Sequence, residues 1–180
     1  MLSKKEIVLN VATKLFAEQG FENTSVAKIC EEASVSKGLV YHHFKTKDDI
    51  LRQIFSDATN RMIAISNSAD IVLKPKQQIT TLIKNIFSQL KVDKLYFQLN
   101  LNIMLQPSTR TILKDLIIIR SKHILDKTKS LFDSLDVSQN DIRSYMFIAE
   151  IDGIALNYLT VFEDYPLEAI KNHLILKYSK

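Results

Sequence analysis

The side chains able to do chemistry are few, and most crowd into one stretch. Between Glu32 and Asp48 the chain carries Lys37, Tyr41, His42, His43, Lys45 and Lys47 and no carboxylate. Donors and positive charges with no acid among them suit a polyanion, since each phosphate contact releases condensed counterions. Catalytic patterns are missing elsewhere. His42 and His43 are neighbours, so on a helix they point about 100° apart and cannot clamp one metal. Glu150 and Asp152 are badly placed to act as a pair, and no His/Cys metal spacing, Gly-rich phosphate loop or Ser/His/Asp arrangement occurs. The chain reads as a binding protein with no catalytic residues, metal or cofactor, and not as an enzyme. Its single cysteine, Cys30, cannot form an internal disulfide and falls on an apolar helix face, which fits a reducing cytosol.

Two short helices must position the basic stretch. Ser25 can cap the first, whose Val26, Ile29, Cys30 and Ala33 recur at i, i+3, i+4 and i+7. Ser34-Val35-Ser36 breaks that period, with Val35 as an apolar plug. Ser36 can cap the second helix, which buries Val40 and Phe44 four residues apart. This is the pattern of a helix-turn-helix. Gly38, one turn inside the second helix, is a poor helix former, and it makes sense if another backbone comes close.

The run Gly20-Phe21, Thr24-Ser25-Val26, Ile29-Cys30 and Ala33-Ser34-Val35-Ser36-Lys37-Gly38-Leu39-Val40-Tyr41-His42-His43-Phe44-Lys45-Thr46-Lys47 resembles the N-terminal signature of the TetR/AcrR family of transcriptional regulators. The resemblance covers about the first third of the chain. Ser34 stands where a Gly is common in the turn, Cys30 where an Ala is common, and Leu39 where a small or polar residue is common. A Leu facing a base cannot hydrogen-bond but can touch a thymine methyl. Carried over position by position, the resemblance implies double-stranded DNA as partner. Ser25, Ser36, Lys37, Tyr41, His42 and Lys47 would face phosphates, and Lys37, Gly38, Leu39, Tyr41 and His42 would lie near the groove floor.

The rest of the chain is helical by its periodicity. Three Gly, three Pro and no Trp in 180 residues leave long runs of good helix formers, so an all-α protein is expected. Ser3 and Glu6 form a capping box ahead of Ile7, Val8, Val11, Ala12, Leu15 and Phe16, and Gly20 stops this helix in the left-handed C-cap position. Thr46 caps a helix to about Ser66, Asn67 to Lys74 forms a loop, and Pro75 starts the next helix. Asp93 opens a segment to Leu105 that is apolar on nearly all sides and should be deeply buried. Ser108 caps a long helix over 109–135, Ser138 with Asp141 starts one to about Glu163, and Pro166 starts the last, to about Tyr178. That makes nine helices, and the resemblance implies the same number. Residues 1–46 are read as a three-helix, helix-turn-helix DNA-binding domain, and 47–180 as a helical regulatory and dimerisation domain with 47–66 as linking helix.

The formal charge of +4 does not lie where DNA would be held, because residues 1–60 carry eight basic and eight acidic side chains. Binding must rest on local placement. No apolar run approaches membrane-span length, so a cytoplasmic protein is expected.

In the body, the first helix of the 138–178 hairpin is apolar on more than one face, and Gly153 in its middle costs about 1 kcal/mol against Ala, which is easier to understand if another helix crosses closely there. The resemblance implies that the last two helices form a four-helix homodimer interface, here Tyr145, Ala149, Gly153, Leu156, Leu167, Ile170 and Leu174. Two recognition helices could then meet successive major grooves of a palindromic operator about 34 to 36 Å apart or a multiple of that. It also implies a ligand cavity, for which Phe87, Tyr96, Phe97, Asn100, Met104, His123, Tyr145 and Asn157 are the candidates, each of them also readable as ordinary core or surface. Aromatic residues with few charges favour a largely apolar small-molecule effector. The expected function is a homodimeric repressor released by that ligand. The alternative is a helix-turn-helix regulator without a small-molecule ligand, controlled by a protein partner.

Overall fold

The computed structural model describes residues 2–68, 73–135 and 140–179, and of 65–68 and 140 the backbone alone. All regular structure among the described residues is helical, in ten α-helices and one π-helical turn. These are α1 Lys4–Gln19, α2 Val26–Glu32, α3 Lys37–His43, α4 Lys47–Ser68, α5 Pro75–Val92, α6 Lys94–Leu105, α7 Pro107–Ile112, α8 Lys114–Asp133, α9 Asn140–Leu156, the π turn Asn157–Val161, and α10 Leu167–Tyr178. Local chemistry sets the starts. Ser3 and Glu6 pair reciprocally at α1, Ser25 Oγ accepts from the Lys28 amide, and Ser36 Oγ accepts from the Leu39 amide. Thr46 and Asp49 pair reciprocally ahead of α4. Each such cap stabilises a helix by about 1 kcal/mol.

The helices depart from expectation where long-range packing overrides period. The helix expected over 109–135 is two, α7 and α8, parted at Leu113. The Thr109 hydroxyl donates to the carbonyls of Ile103 (2.8 Å) and Gln106 (3.0 Å), and Leu113 is fully buried. Gln106, not Ser108, precedes the first turn. The helix expected to reach Glu163 widens at Asn157, whose side-chain amide donates to the Gly153 carbonyl at 2.8 Å, and ends at Val161. In α6 only Leu99 and Ile103 are buried and Leu105 is exposed, so it is not the deeply buried helix expected. Gly20 does take a positive φ of 83°, but with ψ 155° it is extended and not left-handed helical. Ser138 and residues 69–72 of the expected Asn67–Lys74 loop lie outside the described residues, and Asn67 and Ser68 belong to α4.

The chain forms two compact units, Met1–Asn60 with Leu95–Ile117, and Arg61–Lys94 with Ile118–Lys180. The DNA-binding unit is thus larger than residues 1–46. Its core joins Val8, Ala12 and Phe16 of α1, Ile29 of α2, Val40 of α3 and Ile50 and Phe55 of α4 with Leu99 and Ile103 of α6 and with Leu113. Polar ties reinforce this packing. Asn102 donates to the Ala17 carbonyl at 2.9 Å, and the Arg52 guanidinium grips both carboxylate oxygens of Asp115 (2.8 and 2.6 Å) and the Ile112 carbonyl (2.7 Å). The hydrogen bonds from Arg52 hold the Asp115 carboxyl down at about 2.

In the second unit α5 packs on α10, burying Ile79, Ile83, Phe87 and Leu90 on one helix and Leu167, Leu174 and Tyr178 on the other. Phe132, Phe147 and Tyr178 form a ring cluster with centroids 5.0 to 5.9 Å apart. Glu168 pairs with both Lys171 and Lys91, and these bonds bring its carboxyl down to about 2. Arg120 is a buried cation on α8, one turn before His123.

Candidate nucleic-acid interface

The turn between α2 and α3 is made by Ser34, with φ of 50°, the one non-glycine residue with positive φ among those described. Val35 then packs partly buried on the core, while Val40 and Phe44 anchor the inner face of α3. With that face held, the opposite one has to point outward. Lys37, Gly38, Tyr41 and His42 are exposed, Tyr41 to 52 %. A Cβ added at Gly38 would meet only the Ser36 Oγ, at 3.9 Å, so nothing else among the described residues fills the space in front of it. The α3 sequence holds no acid, and the carboxylates of Glu31 and Glu32 on α2 are matched by Lys28, at 3.9 and 3.2 Å. The result is a convex helix face of donors with room for another backbone against it, the geometry by which a helix enters a major groove.

Other expected contacts are placed differently. Ser25 and Ser36 use their oxygens to cap α2 and α3, which leaves each hydroxyl proton as a donor. Leu39 is half-buried, so its side chain is shared between the core and the outer face. The Lys47 ammonium turns inward, donating to the carbonyls of Phe21 (2.7 Å) and Thr24 (3.0 Å) and standing 4.1 Å from the centroid of the Phe21 ring. Sequence reasoning missed these carbonyl partners, because 26 and 23 residues separate them from Lys47. It missed the Arg52–Asp115 grip for the same reason.

The expected ligand residues divide between the two units. Tyr96, Phe97, Asn100 and Met104 lie on α6 in the first unit, whereas Phe87, His123, Tyr145 and Asn157 lie in the second. Phe87 is fully buried core, Tyr145 is 59 % exposed, and Asn157 spends its amide on the Gly153 carbonyl. His123 stands apart from these. Its Nε2 is buried without a hydrogen-bond partner, unlike every other buried side-chain polar atom among the described residues. An open depression of about 520 Å³ lies in the first unit, lined by His43, Lys45, Asp49, Arg52, Gln53 and Ser56, and none of the eight candidates touches it.

The expected interface residues also divide. Ala149 and Leu156 lie on an exposed stripe of α9 with Ile142, Tyr145 and Met146, and a Cβ at Gly153 would meet nothing within 4 Å. No helix among the described residues crosses there. Leu167 and Leu174 are 5 % exposed on the side of α10 buried within the chain, so they are core and not a surface for a partner; Ile170 is half-buried. The exposed residues of α10 are Glu168, Ala169, Asn172, His173, Leu176 and Lys177.

A helix-turn-helix whose second helix offers an acid-free polar face defines a DNA-binding protein. Residues 8–54 match the family described as bacterial regulatory proteins, tetR family. Over 48 residues the chain is 48% identical to the HTH-type transcriptional regulator HbdR of Aromatoleum sp. (strain CIB), a match to 27% of this chain and 21% of that protein. Over 178 residues it is 27% identical to the fatty acid metabolism regulator protein of Bacillus subtilis (strain 168), covering 93% of this chain and 90% of that one. The crystal structure of the transcriptional regulator FadR from Bacillus subtilis in complex with stearoyl-CoA superposes with a TM-score of 0.79 at 20% identity, covering 95% of each chain. Residues 8–54 are thus a tetR-type helix-turn-helix, and the full length has the all-helical fold of that solved regulator. No described helix is long and apolar enough to cross a membrane.

Proposed function

We propose that this regulator is a homodimeric repressor that binds a palindromic operator and leaves it when a long-chain acyl thioester occupies its C-terminal unit. The observation that carries the DNA half is the face of Lys37, Gly38, Tyr41 and His42, exposed on a helix whose other side is locked into the core. Lys37 and the Ser25 and Ser36 hydroxyls serve phosphates, while Gly38, Leu39, Tyr41 and His42 meet base edges. The homodimer is supported by the α9 stripe of Ile142, Tyr145, Met146, Ala149 and Leu156, which runs past the open Gly153 and has no cover among the described residues. The acyl thioester is supported by the likeness to a fatty acid metabolism regulator and by the stearoyl-CoA bound to the neighbour of the same fold. An aliphatic chain also suits the apolar residues of the second unit, where Arg120 and His123 on α8 supply donors for its polar end. The ligand acts by binding the released conformation more tightly than the operator-bound one, and shifts the balance only by that difference.

The test is selection of bound duplexes from a random library, with the mass of the complex measured in solution, followed by challenge with stearoyl-CoA, stearate or free CoA. An enriched inverted repeat holding an even number of protomers, released by stearoyl-CoA alone, is the expected result. Release by stearate would change the ligand to the free acid. A selected operator that none of the three releases would leave control to a protein partner.

A further inference from the structure

The helix-turn-helix pair is entered through the loop 20–25 and left through Phe44, three residues before Lys47. One side chain joins these two ends. Lys47 is the first residue of α4, and its ammonium donates to the loop carbonyls of Phe21 and Thr24, at 2.7 and 3.0 Å. The loop it grips is itself bolted to α1. Phe21 is 5 % exposed and meets the Phe16 ring edge-on at 5.1 Å; Thr24 is 1 % exposed, and its hydroxyl donates to the Gly20 carbonyl at 2.9 Å.

Two facts of electrostatics make this arrangement informative. A cation in the first turn of a helix sits at the positive end of the dipole and needs a negative partner. DNA phosphate could be that partner, but two carbonyl dipoles and the face of the Phe21 ring already supply it in the DNA-free chain. The loop carbonyls in turn lie outside any helix ladder: that of Phe21 accepts the Thr24 amide at 3.3 Å and has a second lone pair for Lys47, and that of Thr24 accepts from Lys47 as well. An ammonium has three donors, of which two are used.

We infer that Lys47 is a positioning residue, a clasp that ties the exit of α3 to the entry of α2 and thereby fixes the tilt of the recognition helix on the DNA. It departs from the expectation that Lys47 meets a phosphate, and it rests on the proposed DNA-binding face only for its affinity readout. A clasp acts through pre-organisation, so its loss weakens binding to every duplex by a similar factor without releasing fewer counterions. A phosphate contact, by contrast, sets the salt slope.

The experiment uses the full chain with Lys47→Met, Lys47→Gln, Lys47→Arg and, as reference, Lys37→Ala. Affinity for the selected duplex is measured over a range of salt, well below each variant's unfolding temperature, and amide hydrogen exchange of residues 20–26 is followed without DNA. Lys47→Met should raise Kd about tenfold at every salt concentration, as expected for losing charge-assisted bonds to carbonyls, and should speed exchange in the loop. Lys47→Arg should restore both, whereas Lys37→Ala should lower the salt slope by about one and leave the loop protected. Lys47→Gln keeps one donor; if Lys47→Met does not fold, it must show the unchanged slope and the faster loop exchange. A fall in slope for either variant, or an unchanged Kd or loop exchange, overturns the clasp. If the wild type selects no sequence, the proposed operator binding fails, while loop exchange still decides whether Lys47 holds the two ends together.

Discussion

The two units of the chain are finished to different degrees. In the first, the polar groups that could have been left over are taken up internally: Thr24 by Gly20, Asn102 by Ala17, Arg52 by Asp115 and Ile112, Lys47 by the loop. What faces out on α3 is polar and basic. The second unit has a comparable core around Phe87, Phe132 and Phe147, yet it leaves Ile142, Tyr145, Met146, Val161, Phe162 and Leu176 more than half exposed and one imidazole nitrogen buried without a partner. An apolar stripe of that length is rarely left open on a protein that works alone. The contrast is between a unit whose polar groups are satisfied within its own fold and one that leaves an apolar α9 stripe and a buried His123 nitrogen without partners among the described residues, the two places where the proposed second copy and ligand would bind.

The comparison breaks first at α9. Met146→Glu puts a carboxylate into the centre of the exposed stripe, where a partner would have to desolvate it. Because Met146 is 51 % exposed in the single chain, the protomer should fold normally. The solution mass should halve, and operator affinity should fall by about 100-fold as the two half-sites lose their linkage. A variant that keeps its mass and grip would assign the stripe to another role.

On the DNA side the effect is smaller and local. Tyr41→Ala removes a ring that touches nothing essential to the core, so thermal stability should stay within the scatter of surface substitutions. Affinity for the selected operator should drop by about 1 to 3 kcal/mol, and competition by unrelated duplex should rise, if Tyr41 meets a base edge. Equal losses on all duplexes would move Tyr41 to the phosphate backbone.

These two regions also differed in how far they could be read from the chain. The helix-turn-helix was legible because its determinants are local: Ser25 and Ser36 cap helices three residues on, and Val26, Ile29, Cys30 and Ala33 keep one period. The division of α7 from α8 was not, since Leu113 continues the apolar pattern and the break lies only in its backbone, at φ −105° and ψ 8°. The inclusion of 95–117 in the DNA-binding unit depends on links such as Asn102 to Ala17, 85 residues apart, which leave no trace in a local window. On α10 the period found an apolar stripe but could not say what covers it. Leu167 and Leu174 are buried within the chain, and the exposed residues are Glu168, Ala169, Asn172, His173, Leu176 and Lys177.

His123→Leu sharpens the comparison from inside. A buried polar atom without a partner costs about 1 to 3 kcal/mol, so an apolar residue of similar size should stabilise the ligand-free protein by about 1 kcal/mol. If the imidazole receives the polar end of the effector, the same variant should need more stearoyl-CoA to leave the operator. Greater stability with an unchanged ligand response would make His123 a frustrated core residue and nothing more.

Acid tests the polar ties, one in each unit. Asp115 and Glu168 are both depressed to about 2 by their basic partners. A depressed carboxyl contributes stability that is complete above its ordinary pKa and lost as pH falls towards the folded value. Unfolding midpoints should therefore decline between about pH 4.5 and pH 2. Asp115→Asn and Glu168→Gln should each flatten part of that decline, modestly, because both pairs are open to solvent. A decline indifferent to both variants would assign acid sensitivity to other carboxylates.

The smallest effect concerns the turn itself. Ser34 holds φ at 50°, a conformation that costs an L-residue about 1 kcal/mol and that glycine adopts freely. Part of the gain from Ser34→Gly is offset by the extra freedom glycine gives the unfolded chain, so the net should be about 0.5 kcal/mol of added stability. The Ser34 side chain is exposed, so no core contact is lost. Operator affinity should be unchanged if the turn serves only to connect α2 and α3. Weaker binding by a more stable variant would mean that the Ser34 hydroxyl reaches the DNA, and the polar face would then extend from α3 back into the turn.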